Sequence, residues 1–209
     1  MSVGIIGTKI GMTQIFNKEG LAIPITIVQA GPCIITQVKN TERDGYNAVQ
    51  LGYYPTKSNY LTKAQIGHLN RAGVINLRYL FEYPVESVTE FQVGKYVTVE
   101  KFKTGQFVNI SGKTIGKGFT GCRKRHNFSR GPMTHGSKNH RQPGSIGPGT
   151  TPGRIFPGKK MAGRAGNTTV TIKNLQVTNV DVSNNILMIK GAIPGVYGNL
   201  INIIKTCYL

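Results

Sequence analysis

The feature that most constrains this chain is a long basic stretch that contains no acidic residue. Between Lys101 and Lys173 the sequence has fifteen lysines and arginines and no aspartate or glutamate. The remainder of the 209-residue chain carries eleven basic residues against eight acidic ones, so it is nearly neutral. A concentration of like charge opposes compaction of the isolated chain and attracts polyanions. Nucleic acid is the commonest such partner, and an anionic membrane surface is the second.

The middle of this stretch is too poor in apolar side chains to form a core of its own. Residues 111–166 include only eleven apolar residues, together with thirteen glycines and five prolines. Burial of so little apolar surface does not offset the conformational entropy that folding would cost, and no strand or helix period predicts a regular hydrogen-bond ladder. We therefore expect this segment to be mobile in the free protein and ordered by a partner.

The composition of the same segment suits a nucleic-acid backbone. Its twelve lysines and arginines can neutralise phosphates and release counterions. Its glycines let backbone N–H groups approach phosphates where a Cβ would clash. Phe119, Phe128 and Phe156 can stack on unpaired bases. A disordered basic tail is the alternative interpretation, but such tails are usually terminal and repetitive, whereas this segment is internal and varied.

The nearly neutral part has the pattern of short β-strands, rich in β-branched residues and bounded by Gly, Pro or Asn. The predicted strands are residues 3–6, 21–29, 34–39, 48–53, 96–102, 168–177, 180–182, 186–189 and 200–205. Pro24 predicts an edge position or a bulge, and Ser183, Asn184 and Asn185 predict a hairpin turn.

One helix is predicted, at Lys63–Arg71, with Thr62 as its N-cap and Gly73 after its end. Many short strands at regular spacing indicate a barrel or a sandwich, and strands on both sides of the basic segment indicate that it is a loop. We interpret Tyr53, Tyr54 and Tyr60 as packing residues rather than as a base-stacking platform.

Motifs for metal binding and catalysis are weak. Cys122, His126, His135 and His140 have spacings that zinc tolerates, but the neighbouring cations repel a metal ion and no carboxylate supports the ligands. The sequence GKTIGKG at residues 112–118 is similar to a phosphate loop but lacks its GK[ST] ending. Without an acid in the segment, paired-carboxylate chemistry is impossible there. We predict no metal, no cofactor, no small-molecule substrate and no enzymatic activity.

The sequence also shows no pattern that is typical of a targeting signal. No run of about 18 apolar residues predicts a transmembrane helix, so no membrane partner is expected. The opening MSVGIIGTKIGMTQIF has neither a signal-peptide nor an import-peptide pattern, and we expect synthesis in the compartment where the protein works. Cys33, Cys122 and Cys207 form no CxxC pair and are predicted to be reduced thiols.

A spaced pattern of nine residues, F-x6-N-x2-G-x-T-x-G-K-G-x2-G-x3-R, overlaps the start of the basic segment. Its members are Phe102, Asn109, Gly112, Thr114, Gly116, Lys117, Gly118, Gly121 and Arg125. With this pattern, the opening GTKIGMTQIF, and the blocks HGSKNHRQPGSIG and TPGRIFPGKKMAGRAGN, the chain resembles the ribosomal protein L3 family of the large subunit (uL3) over essentially its whole length.

The resemblance implies a fold that is mainly β. It assigns residues 1–54, 91–111 and 167–209 to a β-barrel of the translation-protein type, residues 55–90 to a small inserted α/β part, and residues 112–166 to an extended loop. It also implies binding of 23S rRNA early in subunit assembly, contact with other large-subunit proteins, and a loop that runs toward the peptidyl transferase centre without taking part in catalysis.

Two positions depart from the family pattern. His126 stands where many bacterial members have tryptophan, so stacking there requires the imidazole to replace an indole. Thr150 stands where many members have a methylated glutamine, so that modification is expected to be absent. The run RHNFSRGPMTHGSKNHR resembles the cyanobacterial and plastid branch. Frequent Ile and Asn favour a plastid-encoded protein of the chloroplast stroma, with the cyanobacterial cytoplasm as the alternative.

The candidate rRNA contacts follow from charge, from ring character and from the resemblance. They are Lys113, Lys117, Arg123, Lys124, Arg125, His126, Phe128, Arg130, His135, Lys138, Asn139, His140, Arg141, Arg154, Lys159, Lys160 and Arg164. The deepest part of the loop is expected near residues 140–151. An RNA-binding or chaperone module outside the ribosome is the alternative function, and an RNA-modifying enzyme is a third.

Overall fold

The computed structural model describes residues 3–206, so Cys207 and its predicted thiol lie outside the described residues. The chain divides into two compact units. The first unit combines the chain before Thr114 with the chain after Thr168, and the second unit is Thr114–Thr168.

The first unit contains most of the regular structure, and the second contributes only short elements. In chain order the elements are β1 (Ile5–Phe16), β2 (Ala22–Ala30), β3 (Cys33–Lys39), α1 (Thr41–Asp44), β4 (Ala48–Pro55), a 3₁₀ turn (Ser58–Tyr60), α2 (Lys63–Arg71), β5 (Leu77–Pro84), β6 (Tyr96–Val97), a 3₁₀ turn (Val99–Lys101), β7 (Phe107–Lys113), β8 (Phe119–Thr120), α3 (Cys122–His126), β9 (Gly163–Arg164), β10 (Thr169–Asp181), β11 (Ile186–Lys190) and β12 (Leu200–Lys205).

Six antiparallel strands of the first unit pair in a closed ring, in the order β1, β12, β7, β10, β11, β2. Alternate residues point inward, as the period of two in a strand requires. Ile203 of β12 lies opposite Ile5 on one side and opposite Ile110 on the other, and all three side chains are fully buried. The expectation of a mainly β fold is confirmed.

Irregular pairing allows so small a ring to close, because a bulge bends its strand and increases the local twist. The register of β1 shifts between Lys9 and Gly11, and that of β10 shifts between Ile172 and Leu175. Asn174, inside the second shift, has φ of +57°, and its N–H donates to Oδ1 of Asn109 at 3.0 Å.

Four further strands form a second sheet in the order β5, β4, β3, β6. The family resemblance places residues 34–39 and 48–53 in the barrel, whereas in the structure these strands pair with each other and with β5. The hydrophobic pattern identifies a strand but does not specify its partner, which explains the difference. Both sheets share one core, to which the second sheet contributes buried Val49 and Leu51.

Most local predictions are confirmed, and one is wrong over most of its length. Helix α2 has the predicted bounds, and Thr62 and Gln65 form a reciprocal capping box at its start. The strand predicted over residues 96–102 ends at Val97, where a 3₁₀ turn follows. Pro24 lies one residue beyond the last β11 pair, Lys190 with Ile25, so its missing N–H costs no ladder bond on that side.

The two described cysteines, Cys33 and Cys122, are free and buried. The Sγ of Cys33 donates to the carbonyl of Ile6 at 3.5 Å, and burial raises the pKa of this thiol to about 12. A thiol of this kind is a packing group and not a nucleophile. Within residues 3–206, no helix has the length and apolar character needed to cross a membrane.

Replacement of Ile203 by alanine tests the core. We expect Ile203→Ala to lower the free energy of unfolding by about 2–5 kcal/mol, because the smaller side chain leaves a cavity in the core beside β1 and β7, the two strands that flank Ile203. Urea denaturation of the full chain measures this loss. Val170→Ala is the control, since Val170 lies on β10 with 41% of its surface exposed. Equal losses in the two variants would show that Ile203 does not lie in the core.

Candidate nucleic-acid interface

The second unit, all of whose residues are described, has almost no interior. Thr120 and Cys122 are its only buried residues, each 5% exposed. The contrast with the first unit follows from the low apolar content of the segment. This unit therefore exposes its cations on a backbone with little support from a core.

The two limbs of this unit are nevertheless hydrogen-bonded to each other near their ends. The N–H of Thr114 donates to the carbonyl of Thr168 at 3.0 Å, and that of Lys117 donates to the carbonyl of Ala165 at 2.8 Å. The N–H of Ala165 donates to Gly118 at 2.9 Å, and the β8–β9 pair continues the ladder. The sequence analysis predicted no ladder in this segment, because pairing between residues so far apart leaves no local period.

Side chains of helix α3 join the two limbs beyond the β8–β9 pair. Nη1 of Arg125 donates to the carbonyl of Met161 at 2.9 Å, and Nε2 of His126 lies 3.1 Å from the same oxygen, to which its N–H can donate. A Cβ at position 163 would lie 2.6 Å from Nη1 of Arg125, so a larger residue there would displace the end of that side chain. Two of the candidate RNA contacts therefore hold the loop together.

Beyond α3, a turn and an open stretch complete the loop. The N–H of Gly131 donates to the carbonyl of His140 at 3.3 Å, and Nδ1 of His140 lies 2.9 Å from the carbonyl of Pro132. An N–H at Nδ1 leaves Nε2 of a neutral ring as an acceptor. Residues 141–160 are all exposed.

Four basic side chains of the loop line one cleft. A cleft of about 510 Å³ is lined by Lys117, Arg123, Lys124 and Arg141 and by the ring of Phe119, which is 80% exposed. Converging cations attract a phosphate, and an exposed ring beside them offers a stacking surface for a base. The arrangement suits a phosphodiester strand.

Comparison with known proteins gives the family. The model of the family described as Ribosomal protein L3 matches residues 79–185. The chain is 58% identical over 204 residues to large ribosomal subunit protein uL3 of Synechococcus sp. (strain JA-3-3Ab), with 97% of this chain and 95% of the relative covered. The chain belongs to the ribosomal protein L3 family. This membership gives it a structural, not an enzymatic, role in the large ribosomal subunit.

Two further relatives represent the plastid form, uL3c. The chain is 56% identical to uL3c of Porphyra purpurea, with 98% of this chain and 100% of the relative covered. It is also 56% identical to uL3c of Phaeodactylum tricornutum, with 99% of this chain and 100% of the relative covered. The predicted resemblance to the cyanobacterial and plastid branch of the L3 family is confirmed, and these relatives fit a ribosome of a plastid or of a cyanobacterial cytoplasm.

The remaining candidate contacts of this L3 family member fall into three groups. Lys113 is the last residue of β7 in the first unit, and its carbonyl accepts a hydrogen bond from Nδ2 of Asn199 at 2.8 Å. Phe128 is half-buried, with its ring centroid 6.2 Å from that of His126. The exposed group consists of Arg130, His135, Lys138, Asn139, Arg154, Lys159, Lys160 and Arg164.

Hydrogen exchange of the RNA-free protein tests this division of the loop. We expect the amides of residues 141–160 to exchange fastest, those of Lys117 and Ala165 more slowly, and that of Ile110 in the barrel slowest, because exchange follows local unfolding. Mass spectrometry or NMR of the full chain provides the measurement. Protection of residues 141–160 equal to that of Ile110 would show that this stretch is ordered without a partner.

Proposed function

We propose that the protein binds 23S rRNA through the second unit, which is ordered between RNA helices during early assembly of the large subunit. The observation that carries this proposal is the coincidence of charge and exposure. This unit has eleven lysines and arginines and no acid, and only two of its residues are buried. A surface of this kind needs counter-charge along its whole length, which the phosphates of crowded RNA helices supply.

The hydrogen bonds between the two limbs, and those from α3 to Met161, explain how RNA could order this unit. By joining the limbs through the backbone and Met161, they reduce the number of conformations that RNA must fix. Arg125 and His126 then act chiefly in shaping the loop. Lys117, Arg123, Lys124 and Arg141 remain available for phosphates, which position the protein but do not specify a sequence.

The outer part of the loop is the part that we propose to approach the peptidyl transferase centre. The family resemblance supports this direction, with residues 140–151 deepest. Exposed backbone, many glycines and the free Nε2 of His140 suit close contact with RNA backbone and 2′-hydroxyl groups. In this position the loop would influence the shape of the RNA without taking part in peptide transfer.

The boundaries that we propose keep the first unit independent of the outer loop. Deletion of residues 131–151 should leave the cooperative unfolding of the barrel unchanged, because none of its core residues lies there. The shortened protein should still bind rRNA but give large subunits with impaired activity. Circular dichroism, co-sedimentation after a high-salt wash and peptide-transfer assays of reconstituted subunits measure the three outcomes.

Each result has a clear consequence. Loss of barrel unfolding would show that the boundaries are wrong. Full activity of subunits that contain the shortened protein would contradict a role near the catalytic centre. Wild-type protein that dissociates from the large subunit in the high-salt wash would favour an RNA chaperone outside the ribosome.

Removal of one charge from the cleft tests its contact with phosphate. We expect Arg141→Gln to weaken binding to 23S rRNA and to lower the slope of log Kd against log salt by about one, because one fewer phosphate is neutralised. The control is Arg43→Gln, which removes an exposed arginine of α1 in the first unit. Filter binding at several salt concentrations gives both slopes, and identical slopes would remove Arg141 from the interface.

A further inference from the structure

A second cluster of aromatic and basic side chains lies on the first unit. A surface cavity of about 260 Å³ opens where β1 approaches β4 and β5 and where the 193–198 loop enters β12. Tyr54, Tyr79 and Tyr197 contribute rings to its lining, and Lys9 and Arg78 contribute charge. The sequence analysis assigned Tyr53, Tyr54 and Tyr60 to packing, but only Tyr53 is buried.

Two of the rings lie close together, and a guanidinium lies beside one of them. The ring centroids of Tyr54 and Tyr79 are 6.4 Å apart with a 59° angle between their planes, and Cζ of Arg78 lies 5.3 Å from the centroid of Tyr79. Tyr54 is 49% exposed and Tyr197 is 78% exposed. Exposed rings next to a guanidinium are the combination with which proteins hold unpaired bases and their phosphates.

The backbone at Tyr54 supports a role other than packing. Its φ is +67°, a conformation that is rare for a bulky side chain and costs free energy. The residue lies inside β4, between the paired residues Tyr53 and Pro55. In this conformation the Tyr54 ring is exposed and lies beside the ring of Tyr79.

Lys9 fixes the opposite wall of the cavity. Its Nζ donates to the carbonyls of Ile193 and Gly195, each at 3.1 Å, and its carbonyl accepts from the N–H of Gly198 at 2.8 Å. These three bonds hold the loop that carries Tyr197 against β1. The backbone on both sides of Tyr197 is thus held in place, whereas its side chain is exposed.

We propose that this cavity binds one unpaired nucleotide of the large-subunit rRNA, with its base against the tyrosine rings and its phosphate near Arg78. The inference rests on the proposed function for the choice of RNA, but it concerns a site outside the basic loop. None of the described residues that line the cavity is acidic, and Gln29 there offers a donor and an acceptor to a base edge. A protein partner would need an extended apolar patch or acidic groups aligned with the cations, and the small, half-polar cavity favours a nucleotide.

A single tryptophan provides the test, because the chain has none. In the full-length variant Tyr197→Trp, fluorescence should be quenched when protein-free 23S rRNA is added, since a stacked base quenches indole. Tyr60→Trp is the matched control, because Tyr60 is 77% exposed and lies outside the cavity, and its fluorescence should change little. Heparin, a polyanion without bases, should leave both signals unchanged.

Affinity for the same rRNA gives a second measurement. Tyr197→Ala should weaken binding about 5- to 150-fold, the range found for loss of one base–aromatic stack. Tyr197→Phe and Tyr60→Ala should retain wild-type affinity, because stacking needs the ring and not the hydroxyl. Unfolding curves of all variants verify that none has lost the fold.

The outcomes separate this inference from the proposed function. If wild-type protein does not bind 23S rRNA, the proposed function fails and this inference fails with it. If rRNA binds but neither quenches the tryptophan at position 197 nor distinguishes Tyr197→Ala from wild type, only the nucleotide site is refuted. Equal quenching of the tryptophans at positions 60 and 197 would show that the signal does not report on the cavity and would overturn the proposal.

Discussion

The pairing of β7 with β10 is the interaction on which the rest of the structure depends. The cross-strand pair of Lys113 and Thr169 joins the two points between which the basic segment leaves the barrel and returns. Closing a long loop costs little more than closing a short one, about 0.6 kcal/mol for each doubling of its length. A barrel with a well-packed core can therefore carry a segment that contributes almost no burial of its own.

Local features of the fold could be predicted from the sequence, but long-range pairing could not. Helix α2 begins and ends where its capping residues indicate, and the strands follow the period of two. The partners of β3 and β4 depend on β5, which lies far along the chain, so the pattern of each strand leaves its sheet undecided. The ladder that pairs residues 114–118 with residues 165–168 cannot be predicted for the same reason, because its two sides are separated by the whole loop.

At the candidate interface, too, the sequence predicts the general character of the segment but not the role of single residues. Composition predicts that the acid-free segment is the polyanion-binding part, because charge adds up regardless of conformation. It does not indicate that Arg125 and His126 share the carbonyl of Met161, since any exposed cation can turn inward when an unpaired acceptor lies nearby. The left-handed φ of Tyr54 and the hydrogen bonds from Lys9 to the loop that carries Tyr197 likewise have no sequence pattern.

Two kinds of RNA contact on one chain would respond differently to the surroundings. Attraction between the basic loop and phosphates weakens steeply as salt rises, because counterions compete for both partners. Stacking of a base on a tyrosine depends mainly on removing two flat surfaces from water and responds weakly to salt. The loop would then supply most of the affinity, and the tyrosine cavity would supply an orientation that persists when charge is screened. A chain with only the loop would bind polyanions in many registers, so a barrel that holds one nucleotide would fix the register of the chain on the RNA.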